Sequence, residues 1–282
     1  MTRQVPPSVE TSKPLNLDAI LQAERLRRGG IWRLLRQSFW GLLGVAVLIA
    51  SVQKAKVDLR QFWERLPQLV NWLGRLWPPD FSELPAFVSA TWETLAIAIV
   101  GTVAAIVVAL PLAVVVARNI TPLPWFSVPL RGVLNLLRGI DTAIFALFFV
   151  SVVGLGPFAG VLGVACHTTG SMAKLYTEVL ETIPPEPIEA IEATGADRIR
   201  TFAFAVLPEA LPGLIGISLY LWEFNVRSSV ILGIVGAGGI GYELLVSLKL
   251  LDFSRLTTIL ILILAMVSII DAVSALLRQR LG

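Results

Sequence analysis

The run from Thr94 to Ala117, TLAIAIVGTVAAIVVALPLAVVVA, contains no charged residue. A helix rises about 1.5 Å per residue, so about 20 apolar residues cross the roughly 30 Å hydrocarbon core of a bilayer. This run is therefore long enough to span a membrane. The whole chain is 55% hydrophobic and 15% charged, whereas typical soluble domains carry about 25% charged residues. We therefore expect an all-helical (all-α) integral membrane protein.

Further apolar stretches raise the predicted number of membrane spans to about six. They begin near Leu34, Thr142, Phe158, Pro208 and Leu256. An even number of spans places both termini on one side of the membrane, and arginines near both ends indicate the cytoplasm. Residues 1–33 are polar and do not have the apolar core of a signal peptide, so they predict a cytoplasmic tail.

The segment 34–90 is predicted to hold the first span and an extracytoplasmic amphipathic helix, ahead of a transmembrane domain over 91–282. Trp63, Trp72 and Trp77 lie among leucines and arginines in QFWERLPQLVNWLGRLW. Tryptophan rings favour the headgroup level of a bilayer, so this stretch predicts a helix in contact with membrane lipid at the outer interface. An ordinary soluble helix is the alternative.

The glycines of VGAGGIGYE, residues 235–243, have the G-x-G-x-x-G spacing of a dinucleotide-binding turn. Such a turn follows a β-strand and opens a helix, but here an apolar helix precedes the glycines and another predicted span follows. The sequence therefore argues against a nucleotide site. Glycines in this setting instead allow a sharp backbone turn and close helix packing. The residues concerned are Gly236, Gly238, Gly239 and Gly241.

Composition argues against several other kinds of site. One cysteine and one histidine leave no metal-binding cluster, and a net charge of +3 gives no indication of nucleic-acid binding. The sequence contains no G-x-x-x-x-G-K-[ST] motif, so we do not expect it to bind ATP phosphates in a P-loop. We expect no catalytic site and no cofactor bound by this chain, with ATP and Mg²⁺ held by a separate ATPase.

A polar segment from Glu181 to Pro212, ETIPPEPIEAIEATGADRIRTFAFAVLPEALP, separates the predicted fourth and fifth spans. Apolar or small residues recur in it every three to four positions and predict one helix over about residues 185–199. These residues are Ile188, Ile191, Gly195 and Ile199. A cytosolic helix with an apolar stripe needs a groove to fill. The alternative is a connector that rests on the membrane surface.

The same segment resembles the EAA motif of bacterial ABC-importer permeases. The matching residues are Glu189, Ala190, Gly195, Leu207 and Pro208, and Ile191 stands where the motif has a second alanine. The resemblance implies a coupling helix that fits into a cleft of the ATPase subunit. It also implies the fold of a type I ABC importer permease.

A second stretch, LYLWEFNVRSSVILGIVGAGGIG at residues 219–241, resembles the permease subunit of bacterial phosphonate importers. The resemblance implies a transport subunit rather than an enzyme, located in the bacterial inner membrane, for phosphonates or a related phosphorus oxyanion. It also implies a homodimer of this chain, two ATPase subunits inside and a substrate-binding protein outside. Residues 139–142, GIDT, depart from the family pattern, so phosphite, hypophosphite and phosphate stay open as substrates. A membrane scaffold or channel without ATP coupling is the alternative from another class.

Polar residues within the predicted spans mark a candidate substrate pathway, because ionisable groups in a bilayer usually face the protein interior or water. The candidates are His167, Thr168 and Ser171 on the fourth span and Glu223 and Arg227 on the fifth. Arg227 lies roughly 29 Å along the helix from Pro208, which predicts a position in the outer half of the membrane. Its guanidinium suits phosphonate oxygens. Alternatively, Glu223 and Arg227 neutralise each other, and His167 only joins helices by a hydrogen bond.

Overall fold

The computed structural model describes residues 17–120 and 124–280, with side chains over 36–120 and 125–280. Every regular element in these ranges is a helix, as the sequence predicts. The chain divides into two compact units, residues 1–68 and 69–282.

The first unit contains α1 (Leu17–Lys54) and the beginning of α2 (Leu59–Arg75). Of the predicted cytoplasmic tail, residues 1–16 lie outside the described residues, and the remainder is helical and continuous with the apolar part of α1. Asp58 caps the start of α2, because its Oδ1 accepts a hydrogen bond of 3.0 Å from the backbone N–H of Gln61. The axes of α2 and the apolar part of α1 differ by 48°.

The second unit follows as a series of helices. They are α3 (Leu84–Val116), α4 (Pro124–Gly139), α5 (Thr142–Val153), α6 (Pro157–Glu181), α7 (Pro185–Glu192), α8 (Arg198–Thr201), α9 (Leu207–Leu232), α10 (Ile240–Leu250) and α11 (Phe253–Gln279). A π-helical turn, Phe202–Val206, joins α8 to α9, and a second one, Gly233–Ala237, extends α9. One helical run therefore covers Arg198–Ala237.

Three helical segments of the described chain are long and apolar enough to cross a membrane, namely α3, the run Arg198–Ala237 and α11. The number rises to five if two bent pairs, formed by α1 with α2 and by α4 with α5, each count as one span. The predicted fourth span, α6, is 25 residues long but is not among them. Its neighbours are α3, α4, α5 and α9. A helix enclosed by protein does not need a lipid-facing surface, so α6 tolerates the polar residues that lower its hydropathy.

Glycines on α6 determine where α4 and α5 cross it. Gly163 lies against the backbone of Ala146 on α5, and Gly170 lies against the backbone of Leu134 and Arg138 on α4. A Cβ atom at either glycine would come within 3.0 Å of those backbone atoms. Both helices therefore approach α6 more closely than any larger residue would permit.

The predicted third span is two helices, α4 and α5, whose axes differ by 89°. The bend frees backbone groups that need partners. Asp141 caps α5, because its Oδ1 accepts a hydrogen bond of 2.8 Å from the backbone N–H of Ala143. The carbonyl oxygen of Ile140 lies 2.8 Å from Nδ1 of His167 on α6. Since a carbonyl only accepts, His167 donates its Nδ1–H and thereby ties the bend to the central helix.

Candidate coupling segment and substrate pathway

The predicted single helix over about 185–199 is two helices in the structure. α7 ends at Glu192, and a turn with Gly195 at a φ of +82° leads to α8. That positive φ favours glycine, because other residues pay a steric penalty there. Asp197 then caps α8 by accepting a hydrogen bond of 2.8 Å from the backbone N–H of Arg200. The predicted apolar stripe from Ile188 to Ile199 is therefore interrupted by the glycine turn.

The motif residues of this segment are mostly exposed. Glu189, Ala190, Gly195 and Pro208 are exposed, and Ile191 and Leu207 are partly buried. Ile188 packs against the core of the second unit, whereas Ile199 is 79% exposed. α7 thus holds to its own chain through Ile188 and leaves Glu189 and Ala190 free for contact with another molecule.

The end of α6, directly before the coupling segment, is fastened to α3 and α4. Arg131 on α4 forms a 2.6 Å ion pair with Glu181 and also donates a 2.7 Å hydrogen bond to the carbonyl oxygen of Val116. The backbone N–H of Arg118 donates to the same carboxylate of Glu181 at 2.9 Å. Asn119 Nδ2 donates to the carbonyl oxygen of Leu180 at 2.8 Å. We call Arg131, Glu181 and their backbone partners the inner clamp.

The candidate pathway residues on α6 differ in their partners. Thr168 is buried, with 1% of its surface exposed. Its hydroxyl donates to Oδ1 of Asn225 on α9 at 3.1 Å, and Nδ2 of Asn225 donates to the Thr102 hydroxyl on α3 at 2.8 Å. This buried network joins three helices. His167 makes the hydrogen bond to Ile140 described above, and Ser171 is partly buried. The structure therefore gives Thr168 and His167 hydrogen-bond partners on neighbouring helices.

Glu223 and Arg227 belong to a network of four charged residues on α9 and α11. Arg227 forms ion pairs of 2.8 Å with both Glu223 and Asp271, and Arg278 lies 3.1 Å from the other oxygen of Glu223. The Glu223 side chain is 15% exposed, but those of the other three are 40–49% exposed in the single chain. Positive and negative groups alternate along this network, and Arg227 has the most exposed side chain of the four.

Arg227 on α9 lies beside Asp271 on α11, nearer the C-terminal than the N-terminal end of α11. Asp271, its partner, lies about 12 Å from the C-terminal end of α11 and about 27 Å from the start, at the helical rise. The predicted position of Arg227 in the outer half of the membrane stays a prediction.

The glycine cluster forms the turn between α9 and α10. Gly236, Gly238 and Gly239 have φ values of +98°, +80° and +72°, and no strand precedes them among the described residues. A Cβ atom on Gly241 would collide with the carbonyl oxygen of Val230. The turn therefore brings α9 and α10 into backbone contact. Gly236, Gly238 and Gly239 are required by their positive φ, and Gly241 is required by the closeness of Val230.

The start of α10 is held by two side chains of α3. Glu93 Oε1 accepts a hydrogen bond of 3.2 Å from the backbone N–H of Gly239, and Thr94 Oγ1 accepts one of 2.9 Å from Ile240. These groups satisfy N–H groups that a helix start leaves without internal partners. Glu93 and Asn225 are polar residues within apolar helices, which is a signal in the sequence that they have partners.

A bundle of apolar helices around a polar central helix, with an exposed EAA-like segment on one side, is the architecture of a membrane permease. The chain belongs to the family of binding-protein-dependent transport system inner membrane components, which matches residues 109–282. It is thus a multi-pass membrane protein and a subunit of an ABC importer rather than an enzyme. The family implies an ATPase and a substrate-binding protein as partners.

Three relatives extend the comparison beyond the family. The putative phosphite transport system permease protein HtxC of Stutzerimonas stutzeri is 39% identical over 83% of each chain. The phosphite transport system permease protein PtxC of the same organism is 37% identical over 92% of this chain and 94% of its own. The phosphate-import permease protein PhnE of Mycolicibacterium smegmatis is 37% identical over 86% of this chain and 46% of its own.

Among solved structures, the fold is similar to that of the MetNI methionine ABC transporter in inward-facing conformations. The similarity covers 72% of this chain and 99% of that chain, with a TM-score of 0.64 and 24% identity. It supports the fold of a type I importer permease.

Proposed function

We propose that this chain is the membrane subunit of an ATP-driven importer of phosphorus oxyanions, with phosphonates and phosphite as its substrates. The observation that carries the proposal is the 37% identity to a phosphite permease over nearly the full length of both chains. The stretch 219–241, which resembles phosphonate permeases, contains Arg227 and the turn glycines. Phosphate is a second candidate, because one relative is a phosphate-import permease.

In the proposed assembly, two copies of this chain form one pathway, with two ATPase subunits inside and the substrate-binding protein outside. ATP and Mg²⁺ belong to the ATPase, this chain holds no cofactor, and both termini are cytoplasmic. The support comes from charged side chains that a single chain leaves partly exposed, namely Arg227, Asp271 and Arg278 on α9 and α11. Charges in a span are costly in lipid and usually face protein or a water-filled cavity. In the proposed dimer, such a cavity is enclosed between the two copies of the chain.

Coupling to ATP follows from the exposed side of α7. Closure of the ATPase pair pushes on a surface made by the motif residues, which are Glu189, Ala190, Ile191, Gly195, Leu207 and Pro208. The inner clamp makes α3, α4 and α6 move with that segment, because Glu181 is bonded to Arg131 on α4 and to the backbone of Arg118 just after α3. Arg131 also binds Val116 on α3. The spans thereby change between inward-open and outward-open arrangements as rigid bodies.

The proposed pathway passes Arg227. Its guanidinium is partly exposed and already binds two carboxylates, so an oxyanion can replace the exposed Asp271 while Glu223 keeps the side chain in place. His167 and Thr168 contribute by joining α6 to the bend between α4 and α5 and to α9, and Ser171, partly buried on the same helix, contributes its hydroxyl to the proposed pathway. A guanidinium binds two oxygens of one tetrahedral anion through parallel hydrogen bonds, which favours Arg over Lys at such a site.

Uptake in cells tests the proposed function. Cells that lack this chain, and the same cells complemented with it, are given labelled methylphosphonate or labelled phosphite, with phosphate as competitor. We expect uptake only in complemented cells and little inhibition by phosphate. Uptake that does not depend on the chain would contradict the proposal, and strong inhibition by phosphate would replace the substrate by the second candidate.

A further inference from the structure

Helix α2, Leu59–Arg75, has an apolar face that is left uncovered by the residues whose side chains the structure describes. No residue of α2 is buried. Apolar side chains recur on it every three or four positions, and six of the seven are 47–67% exposed. They are Leu59, Phe62, Trp63, Leu66, Leu69, Val70 and Leu73. An uncovered face of this extent indicates contact with another apolar phase.

The opposite face of α2 is mainly polar and also contains Trp72. It carries Gln61, Glu64, Gln68, Asn71 and Arg75. Arg60 pairs with Glu64 at 2.8 Å on the solvent side. A helix with such a polar face does not lie in hydrocarbon, because each charged group would lose its hydration.

The chain does not need α2 to cross the membrane. α1 is helical throughout residues 34–53, and these 20 residues carry one charge, so α1 alone covers about 30 Å, close to the thickness of the hydrocarbon core. α2 then begins after a bend of 48°. Together with its polar face, this argues for a helix on the membrane rather than a continuation of the span.

Contacts at its C-terminal end place α2 at the level of the membrane boundary. Trp72, outside the apolar stripe, stacks on Phe253, the first residue of α11, with ring centroids 5.8 Å apart. The hydroxyl of Thr257 donates to the carbonyl oxygen of Leu76 at 2.9 Å. The first turns of α11 are where that apolar span begins, and its next residues, Leu260 and Leu264, are exposed. The end of α2 therefore adjoins the lipid-facing surface of a span.

Charge on and beside α2 favours anionic lipid. The stretch 54–75 contains five basic residues and two acidic ones, a net charge of 5 − 2 = +3. They are Lys54, Lys56, Arg60, Arg65 and Arg75 against Asp58 and Glu64. Basic residues near a membrane surface are attracted to anionic headgroups. We propose that α2 is an interfacial helix whose apolar face is embedded among anionic phospholipids at the end of the membrane where α11 begins.

Matched cysteine variants test this placement. Cys166 is the single native cysteine, so in a Cys166→Ala background one cysteine is introduced on each face of α2 in turn. The pairs are Phe62→Cys with Glu64→Cys, and Val70→Cys with Asn71→Cys. Each variant is purified, labelled with an environment-sensitive fluorophore and reconstituted into vesicles of phosphatidylcholine with or without phosphatidylglycerol.

We expect fluorophores at 62 and 70 to emit at shorter wavelength and to be quenched by lipids that carry a nitroxide near the headgroup. Those at 64 and 71 should be quenched by aqueous iodide instead. Phosphatidylglycerol should strengthen the quenching by lipid at 62 and 70. Equal aqueous quenching on both faces, or protection of 62 and 70 only after the substrate-binding protein is added, would overturn the proposal. Quenching of all four sites by nitroxides at the bilayer centre would also overturn it, because α2 would then be part of a span.

Discussion

Arg131 on α4 and Glu181 at the end of α6 form a 2.6 Å ion pair across fifty positions of sequence. Both side chains are less than a third exposed. The pair closes the bundle immediately before the segment that contacts the ATPase in the proposed assembly. In the proposed mechanism, we therefore expect a displacement of α7 to reach α3 and α4 as well as α6.

Breaking the inner clamp should uncouple the importer. Glu181→Gln removes the charge and keeps the shape, so we expect the substrate transported per ATP hydrolysed to fall about five- to tenfold, within the usual range of coupling energies. Arg131→Gln should do the same, and the double variant should lose little more than either single one. Transport and ATP hydrolysis are measured together on reconstituted complex. Additive losses in the double variant would show that the two residues act separately.

Reversing a charge on the coupling surface should prevent productive contact with the ATPase. Glu189 is exposed on α7 and has no ion-pair partner in the described part of the chain. Glu189→Lys should therefore leave insertion into the membrane unchanged and abolish transport. Glu64→Lys, on the exposed face of α2, is the control and should transport normally. Normal transport by the Glu189 variant would contradict the coupling assignment.

Arg227 should affect substrate affinity more than assembly. Arg227→Gln is expected to raise the KM for uptake about tenfold or more, the usual scale for loss of a charge-assisted hydrogen bond. Arg227→Lys keeps the charge but not the paired donors, so its KM should lie between those of the unchanged chain and of Arg227→Gln. Arg278→Gln, in the same network, is the control and should change KM little. A fall in the amount of folded protein, with an unchanged KM, would indicate that Arg227 only balances charge.

The glycine turn should not tolerate the smallest side chain. Gly241→Ala places a Cβ against the carbonyl oxygen of Val230, so we expect a loss of stability of about 1–3 kcal/mol, as for other overpacked sites. Gly132→Ala on α4 is the control, since nothing lies within 4 Å of its Cβ position, and alanine is the better helix former. Thermal unfolding of the purified chains measures both. Equal stability of the two variants would show that the turn relaxes.

Much of this architecture can be predicted from the sequence, because a helix that crosses a bilayer needs a long apolar run. The span around Leu256 is predicted at nearly its observed position, whereas the helix that contains Thr94 begins ten residues earlier, at Leu84. The central helix α6 is recognised as a helix, yet its polar residues carry little information about which neighbour each one meets. His167 illustrates this, since its partner at Ile140 depends on the bend between α4 and α5.

The parts that could not be predicted depend on tertiary geometry. The spacing of Ile188, Ile191, Gly195 and Ile199 is the same for a continuous helix and for one that is broken at Gly195. The sequence therefore predicts one helix in the coupling segment where the structure has two. The partner of Arg227, Asp271, lies on another span. Glu93 and Glu181 each bond groups far away in the sequence. No local pattern specifies those pairings.

The most direct test of the central claim is transport by purified complex in vesicles. This chain is co-expressed with its ATPase, reconstituted, and supplied with the substrate-binding protein, ATP and labelled phosphite or methylphosphonate. We expect ATP to drive accumulation of the label, the binding protein and substrate together to stimulate hydrolysis, and Glu181→Gln to lower transport per ATP. Accumulation of label without ATP, or hydrolysis indifferent to substrate, would contradict it.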